Sequence, residues 1–144
     1  MSSYITVAVR TEARNGEVSG VPEIPATLFS APPEFKGKEG VWTPEHFFTA
    51  AIATCFITTF DAIAEFSRLS FEGLKVSAEG MLEKAEGGYR FTEVRLHPQL
   101  TINSDADRER ALRLLDKAEH ACLISRSVSS KIVMQPEIFV VVAA

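Results

Sequence analysis

The sequence has no surplus of positive charge. Its 15 Lys and Arg against 19 Asp and Glu leave a formal net charge of −4, so the electrostatic footprint of a nucleic-acid binder is missing. It has only two cysteines, Cys55 and Cys122, far apart in the chain. That excludes a Cys-x-x-Cys redox motif and a disulfide-stapled scaffold. Cys55, Cys122, His46 and His120 match no structural zinc spacing, so neither a metal nor another cofactor is expected. The first residues carry no basic region followed by an apolar run, and a cytoplasmic location is the expectation. No segment is expected to enter a membrane: the uncharged run from His46 to Phe60 contains Thr49, Thr54, Thr58 and Thr59 and falls short of the roughly 18 apolar residues a bilayer requires.

What is present is the composition of an ordered domain. With 46% hydrophobic and 24% charged residues, the chain is too apolar for intrinsic disorder, and 144 residues suit a single domain, 1–144. Tyr4 to Arg10 alternates like a strand, and Arg14-Asn15-Gly16 supplies an Asn-Gly turn before a return strand from Glu17. Pro22, Pro25, Pro32 and Pro33 leave room for one short strand around Ala26 to Ala31 before a surface loop.

Thr43-Pro44-Glu45 reads as an N-cap, a proline at the first helical position and a first-turn acid, opening a helix to about Leu69. From Phe47 to Phe60 its apolar residues point in every direction, so that half must be enclosed on all sides. A small domain has difficulty surrounding a helix, and a second subunit is expected to supply part of the cover. A long hairpin then turns at Gly87-Gly88, with Val94, Leu96, Leu100 and Ile102 on one face. Ser104-Asp105-Ala106-Asp107 starts a second helix whose apolar positions are Ala111, Leu112, Leu115, Ala118 and Cys122. Lys131 to Val142, broken by Pro136, reads as a strand near a sheet edge.

Taken singly, the candidate residues have plain explanations. A free cysteine commonly behaves as a small buried hydrophobe, Glu45 complements a helix dipole, and Arg14 is a turn residue. Together they form a pattern: Pro-Glu-x-x-Phe-x-x-Ala-x-x-x-Cys on a central helix, then Cys-Leu-Ile-Ser-Arg after a later one. In that pattern the chain resembles the OsmC/Ohr family, the osmotically induced and organic hydroperoxide resistance proteins. The resemblance implies an α+β OsmC-like fold, with N-terminal and central antiparallel strands around a long buried helix, in an intertwined homodimer.

It also implies a thiol-dependent peroxidase that reduces organic hydroperoxides, or less selectively hydrogen peroxide, and is reset by an external thiol or dithiol. Cys55 would be the peroxidatic thiol and Cys122 the resolving thiol. Arg14 would be the activating guanidinium, with Arg10 competing for that role, and Glu45 its carboxylate partner. Cys122-Leu123-Ile124-Ser125 departs from the Cys-Pro of many hydroperoxide-resistance members and points to the OsmC-like branch. The rival reading is a redox-sensing or small-ligand-binding dimer without rapid turnover.

The chemistry supports such a pattern. A thiolate, not a thiol, opens an O–O bond, and burial pushes a cysteine toward the thiol. A fixed cation offsets burial, and arginine offers a fork that holds thiolate and carboxylate together. Glu45 and Cys55 are about 15 Å apart along a straight helix. Two copies packed antiparallel near Ala50-Ala51 would bring Glu45 of one chain level with Cys55 of the other; a kink that separates Glu45 from the rest of the helix is the alternative. An apolar pocket near Phe47, Phe48 and Phe56 is expected to take an alkyl chain.

Overall fold

The computed structural model describes residues 1–142, which divide into two compact units meeting within one helix, Met1–Phe48 and the chain from Thr49 onward. The first unit is an antiparallel meander of β1 (Ile5–Glu12), β2 (Asn15–Val21) and β3 (Ile24–Ser30). The first hairpin turns at Ala13-Arg14, two positions before the Asn-Gly pair that the sequence nominates. Arg14 itself takes the left-handed conformation, φ 64°. Gly16 lies inside β2, where a Cβ would collide with the Val9 carbonyl and stand 2.7 Å from the Phe29 ring. Close approach of backbone and ring, not turn geometry, requires that glycine.

The loop after β3 folds back on it. Ser30 N donates to the Trp42 carbonyl at 2.9 Å, and Ser30 Oγ accepts from Lys38 N at 2.8 Å. Ala31 N donates to the Arg14 carbonyl at 3.0 Å, which ties down the hairpin tip. β1 packs neither face: Ile5, Val7 and Val9 are all exposed.

α1 (Pro44–Phe66) begins as its sequence suggests. Thr43 Oγ1 accepts from His46 N at 3.1 Å, and Thr43 N donates to His46 Nδ1 at 3.2 Å, a reciprocal cap with histidine in the place usually held by Glu or Gln. By length and composition α1 is apolar enough to cross a bilayer, with a window of mean hydropathy 1.7, which corrects the expectation that no segment reaches that limit. The threonines weigh little against it because their hydroxyls turn back on the helix: Thr54 Oγ1 donates to the Ala50 carbonyl at 2.7 Å and Thr58 Oγ1 to the Cys55 carbonyl at 3.1 Å. Burial along α1 is confined to Ile52, Phe56, Phe60 and Ala64, one i, i+4 stripe. Enclosure on all sides is therefore not achieved within one chain.

In the second unit β4 (Phe71–Ala85) and β5 (Gly88–Ile102) form a long antiparallel hairpin whose turn is Glu86-Gly87, one position earlier than the glycine pair. Val94, Leu96, Leu100 and Ile102 are fully buried, as their alternation predicts. After α2 (Arg108–Ala121) come two short strands, β6 (Lys131–Met134) and β7 (Glu137–Val140), which pair in parallel with the same strand, β5. The single terminal strand of the sequence reading is thus split. The gap falls where β5 carries Pro98 and the terminal segment Pro136, neither of which has an N–H for the ladder.

On α2 the buried positions are Ala111, Leu114, Leu115 and Ala118, so Leu114 takes the place expected for Leu112, which is exposed. Arg110 Nη1 donates to the Ser67 carbonyl at 2.9 Å and pins α2 to the segment leaving α1.

Candidate active site

Cys55 lies on α1 and is partly buried; Cys122 caps the C-terminal end of α2 and is fully buried. Both are free thiols, and they are hydrogen-bonding neighbours. α2 ends at Cys122 because the chain there turns extended, ψ 114°, and Cys122 N closes the last helical bond to the Ala118 carbonyl at 2.9 Å. A tight turn follows. Arg126 N donates to the Cys122 carbonyl at 3.0 Å and Ser127 N to the Ile124 carbonyl at 2.9 Å. The N–H groups of Leu123 and Ile124 are left to face Cys55 Sγ.

These donors decide the charge of the pair. Burial pushes the Cys55 thiol up, but it is outweighed by the Ile124 N–H, the Cys122 thiol, the Thr59 hydroxyl and the Leu123 N–H, so its pKa lies below that of an ordinary cysteine. Thr59 Oγ1 stands 3.7 Å from Cys55 Sγ, one helical turn along α1. Burial pushes the Cys122 thiol up as well. The hydroxyl and N–H of Ser125 oppose it, the hydrogen bond and charge of Cys55 add to it, and the net pKa is raised. Its seat at the negative end of α2 acts in the same direction. The arrangement makes Cys55 the more readily ionised of the two sulfurs and leaves Cys122 as the thiol that donates to it.

Thr59 and the amides of Leu123 and Ile124 are the residues that sequence reasoning missed. The Cys55-x-x-x-Thr59 spacing is a legible signal, since i, i+4 side chains share a helix face. Backbone amides carry no side-chain signature at all.

In the first unit, Arg10 and Arg14 line the same cavity of about 300 Å³, with Asn15, Phe29, Ala31 and Pro44. Both candidate arginines therefore border one space, and Pro44 places the start of α1, and hence Glu45, next in chain to it. A second cavity of about 370 Å³, lined by Val18, Ile24, Pro25, Thr27 and Phe47 among others, is mostly apolar. Phe47, stacked on Trp42 at 5.5 Å, borders that cavity as a pocket residue should. Phe56 does not serve as a pocket wall: its side chain is fully buried in the core stripe of α1.

Residues 37–137 match the family described as OsmC-like protein. The uncharacterised protein YmaD of Bacillus subtilis (strain 168) is 31% identical over 114 residues, 77% of this chain and 76% of YmaD. Among solved structures, an OsmC-like protein of unknown function from Vibrio cholerae superposes with a TM-score of 0.84 at 25% identity, covering 94% of this chain and 99% of that one. An organic hydroperoxide resistance protein OsmC from Legionella pneumophila superposes with a TM-score of 0.76 at 24% identity, covering 96% and 98%. The mixed α and β architecture and its antiparallel sheets are thus those of a known lineage, and the chain belongs to the OsmC family.

Proposed function

We propose that this protein is a thiol-dependent peroxidase that reduces organic hydroperoxides, and hydrogen peroxide less selectively, using Cys55 and Cys122. One observation carries the reading: a cysteine with a lowered pKa stands in hydrogen-bond contact with a second cysteine that is kept protonated. The Legionella pneumophila relative and OhrB of Bacillus subtilis, both named as organic hydroperoxide resistance proteins, share the fold and support the substrate class.

In this reading the Cys55 thiolate attacks the distal peroxide oxygen. The O–O bond breaks, the alcohol leaves with a proton, and Cys55 becomes a sulfenic acid. Cys122 then attacks the sulfenic sulfur, water leaves, and a disulfide closes before further peroxide can over-oxidise Cys55. An external thiol or dithiol restores both thiols.

The chain acts as one OsmC-like domain, 1–144, in the cytoplasm, where reducing conditions keep the pair ready. It works as a homodimer, the second copy covering the apolar residues of α1 and β1 that one chain leaves open. Arg14, or Arg10 on the same cavity, supplies the activating guanidinium, and Glu45 orients it.

The test is peroxide consumption with a dithiol donor, comparing an alkyl hydroperoxide with hydrogen peroxide, followed by mass mapping after one equivalent of oxidant. The expected result is faster consumption of the alkyl hydroperoxide and a Cys55–Cys122 disulfide within one chain. A disulfide without turnover would favour the redox-sensing dimer instead, and loss of neither thiol would overturn both.

A further inference from the structure

The turn after α2 meets both sulfurs and treats them differently. Leu123 and Ile124 present their N–H groups to Cys55, whereas Ser125 presents both its N–H and its hydroxyl to Cys122. Ser125 is only 8% exposed. Its Oγ is sealed from solvent and has no conventional hydrogen-bond partner among the described residues. A buried hydroxyl in that state is costly unless an acceptor appears during function. The acceptor within reach is the sulfur of Cys122, which becomes a strong one only as a thiolate.

We propose that Ser125 is a positioning residue for the resolving step of the peroxidase reaction set out above, donating its hydroxyl hydrogen to Cys122 Sγ as that sulfur loses its proton. The timing follows from the pair itself. The titratable group that faces Cys122 is Cys55, from α1; burial is what chiefly keeps Cys122 protonated, and the hydrogen bond and negative charge of Cys55 add to it. Once Cys55 is a neutral sulfenic acid, that repulsion is gone. Burial then remains the obstacle to the second thiolate, and the Ser125 hydroxyl and N–H are the groups that offset it.

The step balances without another reactant. Cys122 gives its proton to water, and its sulfur attacks Cys55 Sγ. The S–S bond forms, the S–O bond breaks, and the departing hydroxide takes a proton as water. The two cysteines together supply the two electrons that reduced the peroxide. The first oxidation is over before Ser125 acts, so the two phases separate its role from that of Thr59, which faces Cys55.

The experiment follows both phases by rapid mixing of the full-length protein with one equivalent of an alkyl hydroperoxide, in wild type, Ser125→Ala and Ser125→Thr. A trapping reagent for sulfenic acid reports the first phase, and loss of free thiol with mass mapping reports the second. Each tenfold loss of thiolate is partly returned by greater nucleophilicity of the more basic sulfur, leaving a net loss of about threefold. Ser125→Ala is therefore expected to leave sulfenate formation unchanged, slow disulfide closure about threefold at neutral pH, and move its pH profile upward. Ser125→Thr restores both.

A parallel arm uses glutathione disulfide, whose mixed disulfide on Cys55 is also resolved by Cys122 but needs no peroxidase activity. If peroxide proves inert while closure of the mixed disulfide still slows in Ser125→Ala, the role of Ser125 stands and the peroxidase reading falls. Unchanged closure rate and pH profile in Ser125→Ala, in whichever arm reacts, overturn the proposal. So does a slowing that Ser125→Thr fails to relieve with no movement of the profile, since that marks a packing defect.

Discussion

Cys122, capping α2, is the thiol that donates a hydrogen bond to Cys55 on α1. Two sulfurs so placed ionise unequally. A negative charge is favoured on Cys55, which has the Ile124 and Leu123 N–H groups and the Thr59 hydroxyl around it, over the fully buried Cys122.

The first prediction concerns the order of alkylation. Raising the pH should bring Cys55 into its thiolate form below the range of an ordinary cysteine and Cys122 above it, because the Cys55 pKa is lowered and the Cys122 pKa raised. Iodoacetamide labelling across pH, read by peptide mass, should modify Cys55 first. Thr59→Val keeps the shape of the side chain and removes a donor to the charged form, so the Cys55 midpoint should move up and its labelling at pH 7 should slow by about threefold. Equal labelling of both cysteines at every pH would contradict the assignment.

The second prediction concerns packing under α1. A Cβ at Gly80 of β4 would stand 2.7 Å from the Phe91 ring and 2.9 Å from Thr49 Cγ2, whereas one at Gly73 of the same strand meets nothing within 4 Å. Gly80→Ala should therefore destabilise by about 1–3 kcal/mol, the usual cost of overpacking. Gly73→Ala should stay near neutral, and urea denaturation of the two variants checks the contrast.

Association supplies the third. Ile5, Val7 and Val9 of β1 are exposed, and α1 buries a single stripe of an otherwise apolar surface. A second copy that covers these faces makes the melting temperature rise with protein concentration. Sedimentation should find a dimer at micromolar concentration, and Val7→Lys should weaken it and lower the melting temperature. A folded monomer as stable as the wild type would refute the proposed assembly.

Much of this was legible in the sequence where side-chain pattern and backbone agree. Val94, Leu96, Leu100 and Ile102 alternate and are buried; Thr43-Pro44 caps a helix as written. Turns slipped by two residues at Arg14 and by one at Gly87 because a glycine can serve within a strand, as Gly16 does against Phe29. The helix phase of α2 exchanged Leu112 for Leu114, a difference that an apolar pair two positions apart cannot decide without the partner surface. Nothing in the separation of Cys55 and Cys122 measures distance, so only the family resemblance brought them together in advance. The amides of Leu123 and Ile124 were invisible because their function belongs to the turn, not to a leucine or an isoleucine.

The last prediction tests whether the guanidinium of Arg14 or of Arg10 activates Cys55. Arg10 and Arg14 border one cavity, so position alone does not choose between them. Arg14 occupies a left-handed backbone conformation, φ 64°, and Arg14→Gly removes the guanidinium while making that conformation easier. A loss of reactivity in this variant is then not a loss of the turn. If Arg14 holds the charge that favours the thiolate, Arg14→Gly should slow alkylation and peroxide reaction of Cys55 at neutral pH by about tenfold or more, the usual effect of removing a close opposite charge. Arg14→Lys should rescue poorly, since a point charge does not hold thiolate and carboxylate in one planar fork. Glu45→Ala should cost less, because a carboxylate that only orients the cation leaves its charge in place. Arg10→Ala is the decisive comparison. If it raises the alkylation midpoint and Arg14→Gly does not, Arg10 is the activating residue. If neither variant moves it, the hydrogen bonds from the Leu123-Ile124 turn and Thr59 suffice to hold the thiolate, and the family's arginine is not needed for the charge on this sulfur.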